Sequence, residues 1–223
     1  MTVKAAIIRP YAEARQNMVD NQLRANTIVD EGLIAAIGRI PRERFVPEAV
    51  ASIAYVDEDL ALGDGRFMAE PMVLARLIQA GGVKRGDMVL DVGCATGYSS
   101  AVLASLGASV VALECDPRLA DRARANLAAL GLSGVAVETG DLAKGHAARA
   151  PYHVILIAGR VERLPQALMS QLAPGGRLVA VFAERGRVGQ AVVVHQGSTA
   201  RVSLFDAASH PMPGFAAEPG FVF

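Results

Sequence analysis

The chain has no tryptophan, only two cysteines and few aromatic residues of any kind, 5% of the total. Two thiols without histidine-cysteine spacing exclude a disulfide scaffold and a zinc module. The four histidines, His146, His153, His195 and His210, share no ligand spacing, so no metal is expected. Charge of either sign is not in excess: Lys+Arg and Asp+Glu both number 22. No global field therefore steers the chain toward nucleic acid or an anionic membrane. No apolar run is long enough to span a bilayer, and Met1 to Arg9 lacks a signal-peptide core. The expectation is a cytoplasmic protein without nucleic-acid or membrane partners. With 52% hydrophobic residues in 223, it has enough apolar surface for one large domain, or one domain with a cap.

What is there centres on Val89-Leu90-Asp91-Val92-Gly93-Cys94-Ala95-Thr96-Gly97-Tyr98. A short apolar run ends in an acid, turns through small residues and enters a helical pattern, which reads as buried strand, glycine turn and helix start. Glycine lets a ligand approach bare backbone. The spacing Gly93-x-x-x-Gly97, with Ala95 between, is a poor dinucleotide fingerprint. Asp91 would repel a pyrophosphate, whereas it suits a cation such as the sulfonium or ammonium of S-adenosylmethionine. Glu114 closes the next apolar run, about 20 residues on, where an acid commonly bonds ribose hydroxyls. Gly140-Asp141-Leu142 follows the third run. Three acids at three strand ends would line one sheet edge. The expected cofactor contacts are Asp91, Gly93, Cys94, Ala95, Gly97, Tyr98, Glu114, Cys115, Asp141 and Leu142. Cys94 and Cys115 are expected near one another as small, half-buried spacers.

The pattern along the chain predicts helices over 12–24 and from an N-cap at Asp30, then a proline-punctuated connector over 41–47. Residues 54–65 read as a loop with a solvated acidic cluster, Asp57-Glu58-Asp59, and 63–71 as extended. A helix opens at Pro71 and ends at Gly81-Gly82. Strands at 88–92, 109–114, 135–139, 152–158 and 177–182 then alternate with helices at 98–106, 117–130 and 161–172. That alternation implies a mostly parallel sheet covered on both faces. Runs at 191–195 and 201–205 form a hairpin signal, so the last strands are antiparallel. The tail from Ala207, with three prolines and two glycines, ends in Phe221-Val222-Phe223. The division expected is 1–82, a helical cap and acceptor loop, and 83–223, the cofactor-binding domain.

Several stretches carry a family resemblance: Met18-Val19-x-x-Gln22-Leu23, Pro41-Arg42-Glu43-x-Phe45-Val46-Pro47, Ala54-Tyr55-x-Asp57, Gly93-x-x-Thr96-Gly97-Tyr98 and Gln171-Leu172-x-x-Gly175-Gly176-x-Leu178-Val179. On these the chain resembles the protein-L-isoaspartate O-methyltransferases over nearly its whole length. The resemblance implies an α/β, Rossmann-like class I methyltransferase fold, a doubly wound sheet with an antiparallel C-terminal hairpin and an N-terminal helical cap. It also implies S-adenosyl-L-methionine as cofactor and repair of damaged proteins by methylation of isoaspartyl carboxylates. The family's acceptor loop reads G-x-G-Q-T-I-S-Q-P, its threonine and serine lining the carboxylate site. Here Gly63, Gly65 and Pro71 align, but Phe67 and Ala69 stand at the hydroxyl positions and Glu70 precedes the proline. After the fourth strand, Ala158-Gly159-Arg160 replaces the usual T-A-A.

The acceptor-side candidates are therefore Arg66, Phe67, Met68, Ala69, Glu70 and Arg160. Glu70 facing the site would repel a carboxylate, and Arg66 or Arg160 would offset that by pairing with one. Three readings stay open: an isoaspartyl methyltransferase, a methyltransferase with another acceptor (a small molecule included), and a cofactor-binding homologue without turnover. Monomer and homodimer are equally compatible with the sequence.

Overall fold

A computed structural model describes residues 3–184 and 186–217. Helix α1 (Val3–Met18) runs on into a wider turn over Val19–Leu23, and α2 (Glu31–Arg39) follows. The Asp30 carboxylate accepts the Leu33 amide at 3.0 Å, the cap expected from the sequence. Residues 54–65, expected as loop, contain half of a hairpin: β1 (Leu60–Gly63) pairs antiparallel with β2 (Arg66–Met68). Strands of three and four residues are too short to show a period-2 signal. The turn is Asp64-Gly65, both at positive φ (50° and 71°), the conformation a tight two-residue hairpin demands. Arg118 donates to Asp64 at 2.7 Å and ties the turn to the helix start near residue 117.

Helix α3 (Pro71–Gly81) leads into β3 (Met88–Val92), α4 (Tyr98–Ser105), β4 (Ser109–Glu114), α5 (Pro117–Ala129) and β5 (Ala136–Thr139). The chain then returns through β6 (Tyr152–Val161), α6 (Gln166–Met169), β7 (Leu172–Phe182), β8 (Gln190–His195) and β9 (Val202–Asp206). The helix expected over 161–172 shrinks to four residues. Its first residue, Val161, belongs to β6, paired with Phe182, and β7 already begins at Leu172, paired with Tyr152. Apolar residues expected to mark a helix face are instead filling strand ends.

The seven strands lie in the order β5-β4-β3-β6-β7-β8-β9. Pairing is parallel from β5 to β7 and antiparallel for β8 and β9. The order reverses between β3 and β6, and such sheets bind ligands at the C-terminal ends of the strands at this switch point. Val89, Leu90, Asp91 and Val92 are all fully buried, as a central parallel strand requires. One cluster of buried side chains runs from Met18 to Ala207, so the core is continuous across residue 82. A second cluster on the other face ends in Met212 and Phe215. These belong to the tail, which crosses back over the strand ends: Arg160 donates to the His210 carbonyl (2.9 Å), Met212 to the Arg160 carbonyl (2.8 Å) and Glu162 to the Phe215 carbonyl (3.0 Å). The Phe221-Val222-Phe223 terminus lies outside the described residues.

Candidate functional site

The glycine turn is stitched to the neighbouring strand. The amides of Gly93 and Cys94 both donate to the Leu113 carbonyl, at 2.8 and 3.1 Å. Gly93 and Gly97 adopt φ of 74° and 94°, and Ala95, at 50°, sits where few non-glycine residues do. The Ala95 amide donates to Glu114 at 2.8 Å. From outside, the Thr96 hydroxyl donates to the Phe45 carbonyl (2.5 Å) and Asn126 donates to the Thr96 carbonyl (3.0 Å).

Two acids stand on the adjacent strands β3 and β4, Glu114 two residues beyond the register partner of Asp91, both fully buried. Asp91 Oδ2 accepts the hydroxyls of Ser99 (2.6 Å) and Ser100 (2.5 Å), while Oδ1 has no partner among the described residues. Burial pushes this carboxyl up to about 6, against the pull of the two hydroxyls. Glu114 accepts the amides of Ala95, Cys115 and Asp116 at 2.8, 2.8 and 3.0 Å. It also accepts both Nη groups of Arg66 in a fork-to-fork pair. Burial works to raise Glu114, but the guanidinium and the amides hold it below the usual carboxylate range. Arg66 also donates to the Gly93 carbonyl at 3.2 Å.

The other predicted residues are distributed as follows. Cys94 is buried and Cys115 exposed, both as free thiols, so the half-buried spacer expected at each is found at neither. A Cβ on Gly97 would meet Ala123 and Leu127, so that glycine serves the approach of α5 rather than an open ligand face. Tyr98 is buried edge-on to Phe45, beneath the Arg42 guanidinium. Asp141 caps the turn after β5 through the Ala143 amide (2.9 Å), and Leu142 is core.

On the acceptor side, Phe67 stacks flat on His210, centroids 3.4 Å apart. Met68 and Ala69 are buried, and the Ala69 carbonyl accepts Arg42 at 2.7 Å. Glu70 turns toward the acidic loop: its amide donates to Asp59 at 2.8 Å. Burial first, then Asp57 and Asp59, push its carboxyl up to about 7, with Arg42 opposing. The acidic cluster is thus not wholly solvated, since Asp59 is half-buried and bonded. Arg160 lines a separate recess of about 260 Å³ with Pro211 and Phe215, so it does not share the Arg66 pocket.

Sequence reasoning missed Ser99, Ser100 and Met212. The serines, eight and nine residues past Asp91, follow directly from the strand-turn-helix geometry. Met212 carries no sequence signal, yet a Cβ on either Gly93 or Gly159 would collide with its side chain.

The donor set suits S-adenosylmethionine: a buried carboxylate oxygen without a partner, a second carboxylate at the next strand end, and a glycine-lined turn between them. Room is what the edge lacks. Hollows of about 20 and 10 Å³ remain, bordered by Phe67, Ala69, Ala158 and, in one or the other, Gly93, Arg66 and Met212. A small-molecule site needs roughly 300 Å³ or more. A recess of about 760 Å³ lies elsewhere, among Phe182, Arg187, Arg201 and Asp206, and includes no predicted site residue.

The family model for protein-L-isoaspartate(D-aspartate) O-methyltransferase matches residues 13–205. A Methanoculleus marisnigri protein-L-isoaspartate O-methyltransferase is 40% identical over 176 residues, 79% of this chain and 80% of that protein. The Methylorubrum extorquens (strain PA1) enzyme of the same name is 44% identical over 168 residues, 75% of this chain and 73% of that one. Among solved structures, a protein-L-isoaspartate O-methyltransferase superposes with a TM-score of 0.78 at 23% identity, covering 90% of this chain and 66% of that chain. A Plasmodium falciparum protein described as a beta-aspartate methyltransferase, complexed with S-adenosyl-L-homocysteine, gives 0.76 at 18%, covering 88% and 96%. These superpositions establish the fold as the Rossmann-like class I methyltransferase type.

Proposed function

Since the chain belongs to the protein-L-isoaspartate O-methyltransferase family, we propose that its S-adenosylmethionine-dependent methylation of isoaspartyl carboxylates runs on the β3–β6 edge, with residues 63–71 presenting the acceptor. Asp91, Gly93, Ala95 and Glu114 hold the cofactor, with Asp141 and Leu142 completing the edge. When bound, S-adenosylmethionine supplies an electrophilic methyl group. The acceptor is a carboxylate, already nucleophilic at neutral pH, so the chain need not provide a strong base. Its contribution is alignment, which can be worth several kcal/mol. The β1–β2 hairpin provides that alignment: its turn is tied to α5 through Asp64 and Arg118, and its exit is tied to Arg42 through the Ala69 carbonyl.

The observation that carries this reading is the reach of the hairpin to the cofactor edge, where its Arg66 forks onto the buried Glu114 carboxylate at the end of β4, the strand beside the switch point. The division at residue 82 is one of labour within a shared core, cap and acceptor loop before it, cofactor edge after it. The described helices include none long and apolar enough to cross a membrane, and we place the reaction in the cytoplasm on protein or peptide acceptors. A second reading follows from Phe67 and Ala69, which put apolar side chains where the family keeps hydroxyls, with the apolar Met68 between them. On that reading the acceptor is a different, less polar group.

Incubation of the pure protein with methyl-labelled S-adenosylmethionine and an isoaspartyl peptide decides between them. Label on the peptide, absent from its ordinary aspartyl isomer, is the expected result. Label appearing only in a cell extract would overturn the isoaspartyl assignment in favour of the second reading.

A further inference from the structure

Arg66 and Met212 reach the cofactor edge from opposite ends of the chain. Arg66 comes from the hairpin, forks onto Glu114 and bonds the Gly93 carbonyl. Met212 comes from the tail and lies against Gly93 and Gly159, the bare backbone positions at the ends of β3 and β6. Its sulfur is 3.9 Å from the guanidinium. A positive charge and a thioether thus stand together against the carboxylate and the glycine turn. The expected cofactor presents a positive charge and a sulfur of its own. The stacked pair Phe67 and His210 closes the same hollow from above.

We propose that Arg66 and Met212 form an internal plug that competes with S-adenosylmethionine for Glu114 and the glycine turn. Cofactor binding then requires the guanidinium to leave Glu114 and the Met212 side chain to leave Gly93. The hinge points are at hand, since Arg66 sits beside the exposed Asp64-Gly65 turn and Met212 on a strap held by a few main-chain bonds. Glu114 keeps three amide donors when Arg66 departs, so its charge is not stranded. Apparent affinity falls by the fraction of molecules in the open state, so weakening the plug strengthens binding without touching a cofactor contact. This inference rests on the cofactor reading above.

The test is calorimetric titration of S-adenosylhomocysteine into the whole protein, into Arg66→Gln and into Met212→Ala, each checked for folding by thermal unfolding. The expected result is at least tenfold tighter binding for Arg66→Gln and a smaller gain, about threefold, for Met212→Ala. Equal constants in all three, or weaker binding by the folded variants, would overturn the plug and leave the cofactor reading standing. Absence of binding by all three would overturn both.

Discussion

Asp91 and Glu114 sit on adjacent strands, equally buried, and are neutralised by opposite means. Asp91 has two hydroxyls and one bare oxygen, so its cheapest response to burial is to keep its proton, and it titrates near 6. Glu114 has a guanidinium and three amides, which outweigh burial and hold its carboxyl below the usual carboxylate range. Asp91 is therefore held by groups of its own βα unit and keeps one oxygen for a ligand. Glu114 is held across 48 positions of sequence by a residue of the acceptor hairpin. The first arrangement waits for a cation, and the second already has one. That difference makes the internal plug a property of Glu114 and not of the edge as a whole.

The largest expected effect breaks the comparison at Glu114. Glu114→Ala strands a buried guanidinium and three amides, a loss of about 3–5 kcal/mol when one partner of a buried pair is removed. Asp91→Ala deprives two hydroxyls of their acceptor but also deletes a buried charge, so about 1 kcal/mol is expected. Urea midpoints at pH 7 measure both. Equal losses would mean that Arg66 turns out to solvent and that the two acids are held alike. Either substitution also weakens S-adenosylhomocysteine at least tenfold if both acids hold the cofactor.

The next effect separates the acids by pH. Asp91 is raised in the folded state, from 3.8 to about 6. Its contribution to stability is therefore full below 3.8 and is lost as pH rises through 6, roughly 3 kcal/mol in all. Glu114 is lowered, so its contribution is full above its unfolded value and is lost on acidification. Glu114 has its slope below 4.5 and Asp91 has its own between 3.8 and about 6, so the two oppose each other only near pH 4, and above about 4.5 the Asp91 contribution falls unopposed as pH rises. Asp91→Asn should leave only the Glu114 slope, so that stability climbs with pH up to about 4.5 and the Asp91 decline between there and pH 6 is gone. An unchanged pH profile would show that Asp91 is not the group titrating there.

The half of the site built from the βα alternation was legible because its signals are local. An acid closing an apolar run, then small residues with glycine, dictates a strand end and a turn, and two such units place Asp91 and Glu114 on neighbouring strands. The parallel sheet and the antiparallel β8–β9 pair follow from the same periodicities. What sequence could not supply was the direction of long side chains across large separations. Arg66 reads as a candidate partner for an acceptor carboxylate, because nothing local records its pairing with Glu114. Whether Glu70 faces the site is likewise open in the sequence, and the hairpin exit brings it beside Asp59 instead. Met212 lies in a proline-rich tail without periodicity, and its seat exists only because Gly93 and Gly159 leave a gap between strands that the sequence separates by 66 residues or so. Residues 161–172 failed for a related reason: short apolar runs beside a proline fit strand ends and helix faces alike.

The smallest expected effect extends the comparison to a third carboxyl. Glu70 resembles Asp91 in direction but not in cause: burial is joined by Asp57 and Asp59, and no hydroxyl opposes them, only the Arg42 charge. Its folded value, about 7 against 4.5, means a contribution to stability that is present below 4.5 and lost as pH rises through 7. The group is half-exposed, so solvent screening holds the effect to about 1 kcal/mol or less. Glu70→Gln keeps the side chain's size and removes the titration. Thermal midpoints of wild type and variant should then coincide near pH 4.5 and diverge by a few degrees in favour of the variant at pH 8. A variant that melts lower at pH 8 would instead mean that the Glu70 carboxylate is the partner Arg42 needs, and the hairpin exit would be held by that charge pair rather than by the Ala69 carbonyl.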